Sequence, residues 1–191
     1  MRILRKAARR GCALGGLAAR LRRNMESQRG SHYFCCDALL PRRPRIHRDR
    51  VPLHIVQRGH NREPCFFGEE DYQSYLHRLG EALKKEPCAL HAYALMTNHV
   101  HLLITPEHAE SIPRLIIALG RRYVQYINTT YRRTGTLWDR RYKSSLIQAE
   151  TYLLSCQRYI ELNPVRAAMV DDPAHYRWTS YRHNALGQAN A

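Results

Sequence analysis

Two apolar segments separated by only two residues constrain the fold of this chain more than any other feature of its sequence. Residues 89–96 and residues 99–104 are strongly apolar, and only the dipeptide at 97–98 joins them. A connection this short links antiparallel strands, so the sequence predicts a β-hairpin. The second strand carries His99 and His101, and the two-residue period of a strand puts both imidazoles on one face of the sheet.

Segments with strand or helix periodicity surround this hairpin, and their order predicts the fold class. They are a strand at 53–58, helices at 69–86 and 112–132, a strand at 137–147 and a helix at 150–162. The order strand–helix–strand–strand–helix–strand is typical of the split βαβ pattern. We therefore predict an α+β fold of the ferredoxin-like type, an antiparallel sheet with packed helices. Trp178 and Tyr181 in the tail are expected to pack on that sheet.

The composition excludes several classes of protein before any motif is considered. The chain has 191 residues, of which 44% are hydrophobic, and this content excludes wholesale disorder. No run of 18 apolar residues is present, so the sequence predicts no transmembrane helix and no membrane partner. The six cysteines form no C-x-x-C pair and are typical of scattered thiols in a reducing cytosol, which favours a cytoplasmic location.

Positive charge is concentrated at the start of the chain. The sequence has 31 Lys and Arg against 16 Asp and Glu, and residues 1–25 hold basic residues but no acid. This stretch is consistent with a nucleic-acid-binding arm, an amphipathic presequence, or translated sequence upstream of a true start at Met25. We expect residues 1–40 to be a basic leader, disordered or misassigned, and residues 41–191 to form the domain.

The two histidines of the hairpin are a candidate metal site. Two imidazoles about 7 Å apart along one strand face can converge on a single ion when a third ligand comes from elsewhere in the chain. Imidazole ligands on their own favour zinc. The alternative is that His99 and His101 are two partly exposed histidines on a solvated sheet face.

A second cluster combines basic and aromatic residues inside the folded body. Residues 121–143, here called the basic segment, hold seven basic and five aromatic residues with one acid. Basic side chains neutralise phosphates and aromatic rings stack on unpaired bases, so the segment predicts nucleic-acid contact. The alternative is that its tyrosines and Trp138 are core residues and its arginines only solvate a surface. Two further arginines, at the end of the first strand and in the loop after it, are added to this prediction. The predicted nucleic-acid-binding residues are Arg58, Arg62, Arg121, Arg122, Arg132, Arg133, Trp138, Arg140, Arg141 and Lys143.

A third candidate site is the end of the last long helix. Tyr159 and Asn163 are four residues apart, so they share a face if the helix continues through both. An activated tyrosine is a recognised nucleophile in covalent catalysis. The chain has twelve tyrosines, however, and the residues alone do not favour Tyr159 over Tyr142 or Tyr152.

The three candidate sites, taken in this order, resemble the motifs of a known family. Residues 91–103 resemble the HUH signature (histidine, hydrophobic residue, histidine) of single-tyrosine transposases. Residues 137–144 and 159–165 resemble the downstream blocks of a subgroup of this IS200-like superfamily, the REP-associated tyrosine transposases. The resemblance runs from about Pro44 to Tyr181.

The resemblance implies a function and a set of site residues. Members of the family nick and rejoin single-stranded DNA, often near a hairpin, through a 5′-phosphotyrosine intermediate. Tyr159 corresponds to the nucleophile, and His99, His101 and Asn163 correspond to the ligands of Mg²⁺ or Mn²⁺. The implied partner is single-stranded, hairpin-containing DNA, and the implied protein is a monomer or homodimer in the bacterial cytoplasm, associated with the nucleoid.

Two other functions remain open at this point. One is a domesticated, sequence-specific DNA-binding protein that keeps hairpin recognition but no longer cuts. The other is an H-x-H metallohydrolase that attacks RNA or phosphoesters with an activated water. The metallohydrolase needs a carboxylate base, and Glu161, the only nearby candidate, is expected to point away from Tyr159 on a helix.

Overall fold

The computed structural model describes residues 45–148 and 150–188. The predicted leader, residues 1–40, lies outside the described residues. The strands in the described part are β1 (Leu53–Arg58), β2 (Cys88–Met96), β3 (His99–Pro106) and β4 (Lys143–Leu146). The helices there are α1 (Glu69–Lys85), α2 (Ser111–Thr130), α3 (Glu150–Glu161), α4 (Asn163–Arg166) and α5 (Tyr181–Leu186). None of these helices is long and apolar enough to cross a bilayer.

The four strands form one antiparallel sheet in the order β2-β3-β1-β4. The predicted hairpin is confirmed as β2 and β3, which pair from Met96↔His99 outward. Because β1 and β2 are both antiparallel to β3, they run in the same direction with β3 between them. Helix α1 connects β1 to β2, and α2 connects β3 to β4. This topology is the predicted split βαβ, ferredoxin-like arrangement.

One face of the sheet packs against α1 and α2 and forms the main core. Alternate residues of each strand point to this face, as the two-residue period requires. The largest buried side chains of this core are Leu53, Ile55, Leu102 and Ile104 from the strands and Tyr75, Leu79, Leu115, Leu119 and Tyr123 from the helices. The remaining strand residues, including His101, therefore face the opposite side of the sheet.

The opposite face is partly covered by α3. Ile160 of α3 is fully buried against Ala92, Ala94 and Leu103 of the hairpin. Leu103 is two residues from His101 on the same strand, so α3 is held beside the histidine pair by apolar contact.

The strand predicted at 137–147 is shorter than expected and begins only at Lys143. The partner strand β1 has six residues, and β4 pairs with Leu53 to Val56 of it. Before β4, Trp138 forms an isolated antiparallel bridge with Gly59: His60 N donates to the Leu137 carbonyl, and Asp139 N donates to the Arg58 carbonyl. These bonds satisfy the backbone without extending the strand.

Trp178 was predicted to pack on the sheet; its ring is buried in the main core and stacks on Tyr72 of α1, with 4.7 Å between ring centroids. The carbonyl of Trp178 accepts a hydrogen bond from Leu95 N at 2.9 Å. The tail thereby pairs with the edge strand β2, which would otherwise expose unpaired backbone groups. Tyr181, which was also expected on the sheet, is half-buried at the start of α5.

Candidate active site

The sheet face that carries α3 brings three histidines together. In the β1–β3 register, His54 lies opposite Leu103 and Arg58 lies opposite His99. Residues that lie opposite each other in an antiparallel pair share a face. His54 and Arg58 of β1 therefore stand on the same face as His99 and His101 of β3.

The three imidazoles are in direct contact. His54 Nε2 lies 2.9 Å from His101 Nδ1, and the two rings stack with 5.1 Å between their centroids. The rings of His99 and His101 lie edge to face with 4.8 Å between centroids. His99 Nδ1 lies 2.6 Å from Oδ1 of the neighbouring Asn98. Each imidazole of the pair predicted from sequence thus has its Nδ1 atom held by another side chain.

Burial keeps these imidazoles neutral. Burial first, and then nearby positive charges including Arg58, lower the pKa of His101 to about 3 and that of His99 to about 4. Burial also lowers the pKa of His54 below its ordinary value. Neutral imidazoles keep a nitrogen lone pair at neutral pH, and metal ligation requires that lone pair.

Asn163 lies just after a break between two helices, and its side chain contacts the histidine pair. Helix α3 ends at Glu161 and the short α4 begins at Asn163, so the expected continuous helix from Tyr159 to Asn163 is interrupted at Leu162. Pro164 follows, and because proline has no N–H it belongs in the first turn of a new helix. The break leaves Asn163 Nδ2 3.4 Å from His101 Nε2.

Two imidazoles and a carboxamide form a suitable donor set for a divalent cation. The described residues contain no group of three or more His, Cys, Asp and Glu side chains that could hold a metal ion. The carboxamide of Asn163 lies next to His101 and is the candidate third ligand: turning the amide over would present its oxygen, which suits Mg²⁺ or Mn²⁺ better than zinc. The neutral imidazoles and the position of Asn163 fit such an ion.

Tyr159 lies on α3 beside the same histidines. Its ring centroid is 6.1 Å from that of His101 and 6.1 Å from that of His54, with the rings edge to face in both cases. The residue remains 41% exposed, so a substrate can approach it. Arg166 of α4 places its Cζ atom 4.9 Å from the centroid of the Tyr159 ring. This guanidinium supplies positive charge beside the phenol.

The other tyrosines considered from sequence lie in different surroundings. Tyr142 is 8% exposed, and Arg45 stacks on its ring with Cζ 3.9 Å from the centroid. Tyr152 is 68% exposed on α3, two turns before Tyr159. Among these three, Tyr159 is the residue whose ring packs on the histidines.

Five predicted nucleic-acid-binding residues meet in one cavity. This cavity, here called the basic pocket, has a volume of about 340 Å³ and is lined by Val56, Arg58, Arg62, Asp139, Arg140, Arg141 and Lys143. Val56 lies opposite His101 in the β1–β3 register. The basic pocket therefore adjoins the histidine pair on the same sheet face.

The remaining basic residues of the predicted set lie on or just after α2, away from Tyr159. Helix α2 packs on the other face of the sheet, so Arg121 and Arg122 are exposed on that side of the protein. Arg122 lines a separate cavity with Arg78 and Tyr126. Arg132 is exposed immediately after the helix, and Arg133 stacks on the ring of Phe67.

Trp138 is a core residue, as the alternative interpretation of the basic segment stated. Its side chain is 8% exposed, and its ring stacks on that of Tyr123 with 6.1 Å between centroids. A buried ring offers no surface on which an unpaired base can stack. The expectation that Trp138 contacts nucleic acid therefore does not fit its position.

Glu161 points away from the histidines, as the helical spacing predicts. Its carboxylate accepts hydrogen bonds from Ser180 Oγ at 2.8 Å and from Asn184 Nδ2 at 2.6 Å. The side chain is 6% exposed, and its hydrogen bonds link the C-terminal tail to α3. Glu161 is thus committed to the tail and is not placed to activate a water near His101.

Two residues of this site were not identified from the sequence. His54 alternates with the core residues Leu53 and Ile55, so the period of β1 assigns it to the outer face. Its contact with His101 depends on the strand register, which the sequence does not reveal. Arg166 lies on α4, and its contact with the Tyr159 ring crosses the break at Leu162.

This chain is a ferredoxin-like protein whose outer sheet face carries a histidine pair, a tyrosine and an asparagine beside a basic pocket. The family model described as "Transposase IS200 like" matches residues 48–163, which include all four of these site residues. The chain therefore belongs to the IS200-like transposase family and is a DNA-processing enzyme. Comparison with curated proteins gives no match.

A solved structure shows the same fold. The chain is similar to a REP-associated tyrosine transposase bound to a REP hairpin, with a TM-score of 0.67 and 14% sequence identity over 77% of this chain and 86% of that one. It also matches a proposed transposase from Deinococcus radiodurans, with a TM-score of 0.43 and 22% identity over 63% of this chain and 96% of that one. The first similarity confirms the predicted fold class.

Proposed function

We propose that this transposase-family protein nicks and rejoins single-stranded DNA at hairpin or repeat sequences through a 5′-phosphotyrosine intermediate. The observation that carries the proposal is the convergence of Tyr159, Asn163 and the histidine pair beside the basic pocket. A nucleophile, candidate cation ligands and phosphate-binding charge thus share one sheet face.

The basic pocket supplies the charge that binds the DNA backbone. Its five cationic side chains surround one acid, Asp139, so phosphates bound there release condensed counterions. The pocket adjoins His101, and a strand that crosses the pocket brings a phosphodiester next to Tyr159. A hairpin substrate agrees with the hairpin that the similar structure holds.

Tyr159 provides the attacking oxygen. Its phenolic oxygen forms a bond to the scissile phosphorus as the bond to the 3′-oxygen breaks, which leaves a 5′-phosphotyrosine and a free 3′-hydroxyl. The phenol gives up its proton to solvent as the new bond forms, and the departing 3′-oxygen takes up a proton from solvent. The guanidinium of Arg166 lies beside the Tyr159 ring during this step. Rejoining reverses these steps with a 3′-hydroxyl as the attacking group.

The histidine pair and Asn163 would hold Mg²⁺ or Mn²⁺. Polarisation of a phosphate oxygen is the chemistry that such a cation supplies when it is bound. The chain's own contribution is to present two neutral imidazoles and a carboxamide within reach of one another. The rings of His54 and His101 also pack edge to face against the ring of Tyr159 and so help to fix its position.

The direct test uses the full chain and a panel of single-stranded hairpin oligonucleotides labelled at the 3′ end. With Mn²⁺ present, we expect a covalent protein–DNA band on a denaturing gel and a free 3′-hydroxyl on the released fragment. Peptide sequencing of the adduct should locate the DNA on Tyr159. A cleaved oligonucleotide with no covalent band would contradict the tyrosine mechanism and favour hydrolysis by water. Binding without any cleavage would favour the domesticated DNA-binding protein.

A further inference from the structure

His54 contacts the predicted ligand His101 without belonging to the donor set itself. Its Nε2 atom lies 2.9 Å from His101 Nδ1, and its ring stacks on the His101 ring at an interplanar angle of 21°. Both rings are held by backbone register, since His54 lies opposite Leu103, two residues from His101. The contact is therefore a built-in feature of the β1–β3 pair.

The hydrogen bond between the two imidazoles constrains their protonation. A bond between two ring nitrogens requires a proton on one and a lone pair on the other. On its other side, His101 Nε2 faces the Nδ2 atom of Asn163, and an amide nitrogen only donates. With the Asn163 amide in this orientation, His101 Nε2 carries the lone pair, its Nδ1 carries the proton, and His54 Nε2 accepts that proton in a hydrogen bond.

The same arrangement is the one that cation binding requires. Because Nδ1 of His101 is taken up by His54, only Nε2 is free to act as a ligand, and it must be unprotonated to do so. Histidine ligands commonly donate their second N–H to an acceptor that fixes the ring and its tautomer. His99 has the equivalent partner in Asn98 Oδ1, at 2.6 Å from its Nδ1.

We propose that His54 is a positioning residue that accepts the Nδ1–H of His101 and so holds the Nε2 lone pair of His101 toward Asn163. The inference rests on the proposed cation site and adds a residue to it. His54 also packs edge to face against Tyr159, so its side chain contacts both the predicted ligand His101 and the proposed nucleophile Tyr159. A neutral acceptor serves here without adding negative charge to a surface that must bind phosphate.

Two substitutions separate the hydrogen bond from the packing. His54→Phe keeps an aromatic ring beside His101 but removes the acceptor, whereas His54→Gln keeps an acceptor oxygen without the ring. We expect His54→Phe to weaken Mn²⁺ binding, measured calorimetrically on the full chain without DNA, by about 10- to 100-fold. His54→Gln should recover most of that loss. Hairpin binding in EDTA should be unchanged in both variants, because the basic pocket is intact.

The outcomes distinguish the inference from the function on which it rests. If His54→Phe binds Mn²⁺ as tightly as the wild type while His99→Ala does not, the positioning role is overturned and the cation site stands. If the wild type and His99→Ala bind Mn²⁺ equally, the cation site falls and the inference falls with it.

A spectroscopic measurement on the wild type keeps the inference testable even if His54→Phe does not fold. Two-bond ¹H–¹⁵N correlation spectra of the metal-free protein report which imidazole nitrogen carries the proton. We expect His101 to be protonated at Nδ1 and His54 to be unprotonated at Nε2, with the signals assigned from His54→Gln and His101→Gln. A His101 ring protonated at Nε2 would overturn the proposal.

Discussion

The Nε2 atom of His101 lies 3.4 Å from the Nδ2 atom of Asn163, which is 62 residues further along the chain. A buried strand and a helix break together produce this contact. Ile160, three residues before Asn163, is fully buried against the hairpin and fixes the end of α3. The position of Asn163 thus depends on apolar packing, while its contact with His101 is polar.

Replacing either histidine of the pair should separate cleavage from binding. We expect His99→Ala or His101→Ala to abolish adduct formation at limiting Mn²⁺, because each removes a neutral imidazole from the cation site. Hairpin affinity should stay within about threefold of the wild type, since that affinity resides in the basic pocket. Adduct gels and fluorescence anisotropy measure the two quantities.

His91→Ala is the matched control for this experiment. His91 lies on the neighbouring strand, is half-buried, and contacts Thr105 Oγ1 at 2.7 Å, away from the histidine pair. Its removal should leave adduct formation intact. Normal cutting by His99→Ala and His101→Ala at limiting Mn²⁺ would refute the ligand assignment.

The basic pocket should account for much of the salt dependence of DNA binding. We expect replacement of Arg140 and Arg141 by Ala to weaken single-stranded DNA binding. The slope of log K against log salt should fall by about 0.7 for each phosphate that the variant no longer neutralises. Replacement of Lys84 and Lys85, which are exposed at the end of α1, removes the same charge from another part of the protein. If both pairs lower the slope equally, the pocket is not the DNA site.

Asp71 should be among the residues on which the stability of the core depends. The carboxylate is fully buried and accepts hydrogen bonds from Phe67 N, Gly68 N, and the hydroxyls of Tyr126 and Tyr131. We expect Asp71→Ala to lower the free energy of unfolding by about 3 kcal/mol, because these donors lose their buried acceptor. Urea unfolding measures this loss. The control is Glu70→Gln at the exposed neighbouring residue, which should change the free energy of unfolding by less than about 0.5 kcal/mol.

The fold could be predicted from sequence because its signals are local. The two-residue link at 97–98 determines the hairpin, and the strand period then assigns His99 and His101 to one face. The shortened β4 could not be predicted, because residues 139–142 leave the ladder between the Gly59↔Trp138 bridge and the pairing that starts at Val56↔Lys143. The apolar period of residues 137–147 does not reveal that departure.

The residues of the candidate site could be predicted in part from the sequence. The features that could not be predicted depend on tertiary packing. Period and motif resemblance indicated Tyr159 and Asn163, but the break at Leu162 that orients them arises from Pro164 and from packing of α3 on the hairpin. The burial of Trp138 likewise depends on its neighbour Tyr123, 15 positions earlier on α2. Composition alone placed both residues in a nucleic-acid-binding segment, although both lie in the core.

Removing the hydroxyl of Tyr159 should abolish the covalent intermediate while leaving the fold intact. The ring of Tyr159 packs edge-on against His101 and is 41% exposed, so Tyr159→Phe keeps the ring packing and loses only the attacking oxygen. We expect normal hairpin affinity and thermal stability but no protein–DNA adduct on a denaturing gel. Tyr152→Phe is the matched control, because Tyr152 lies on the same helix and is more exposed, at 68%; it should form the adduct at the wild-type rate. An adduct that persists in Tyr159→Phe and disappears in Tyr152→Phe would reassign the nucleophile by two turns of α3.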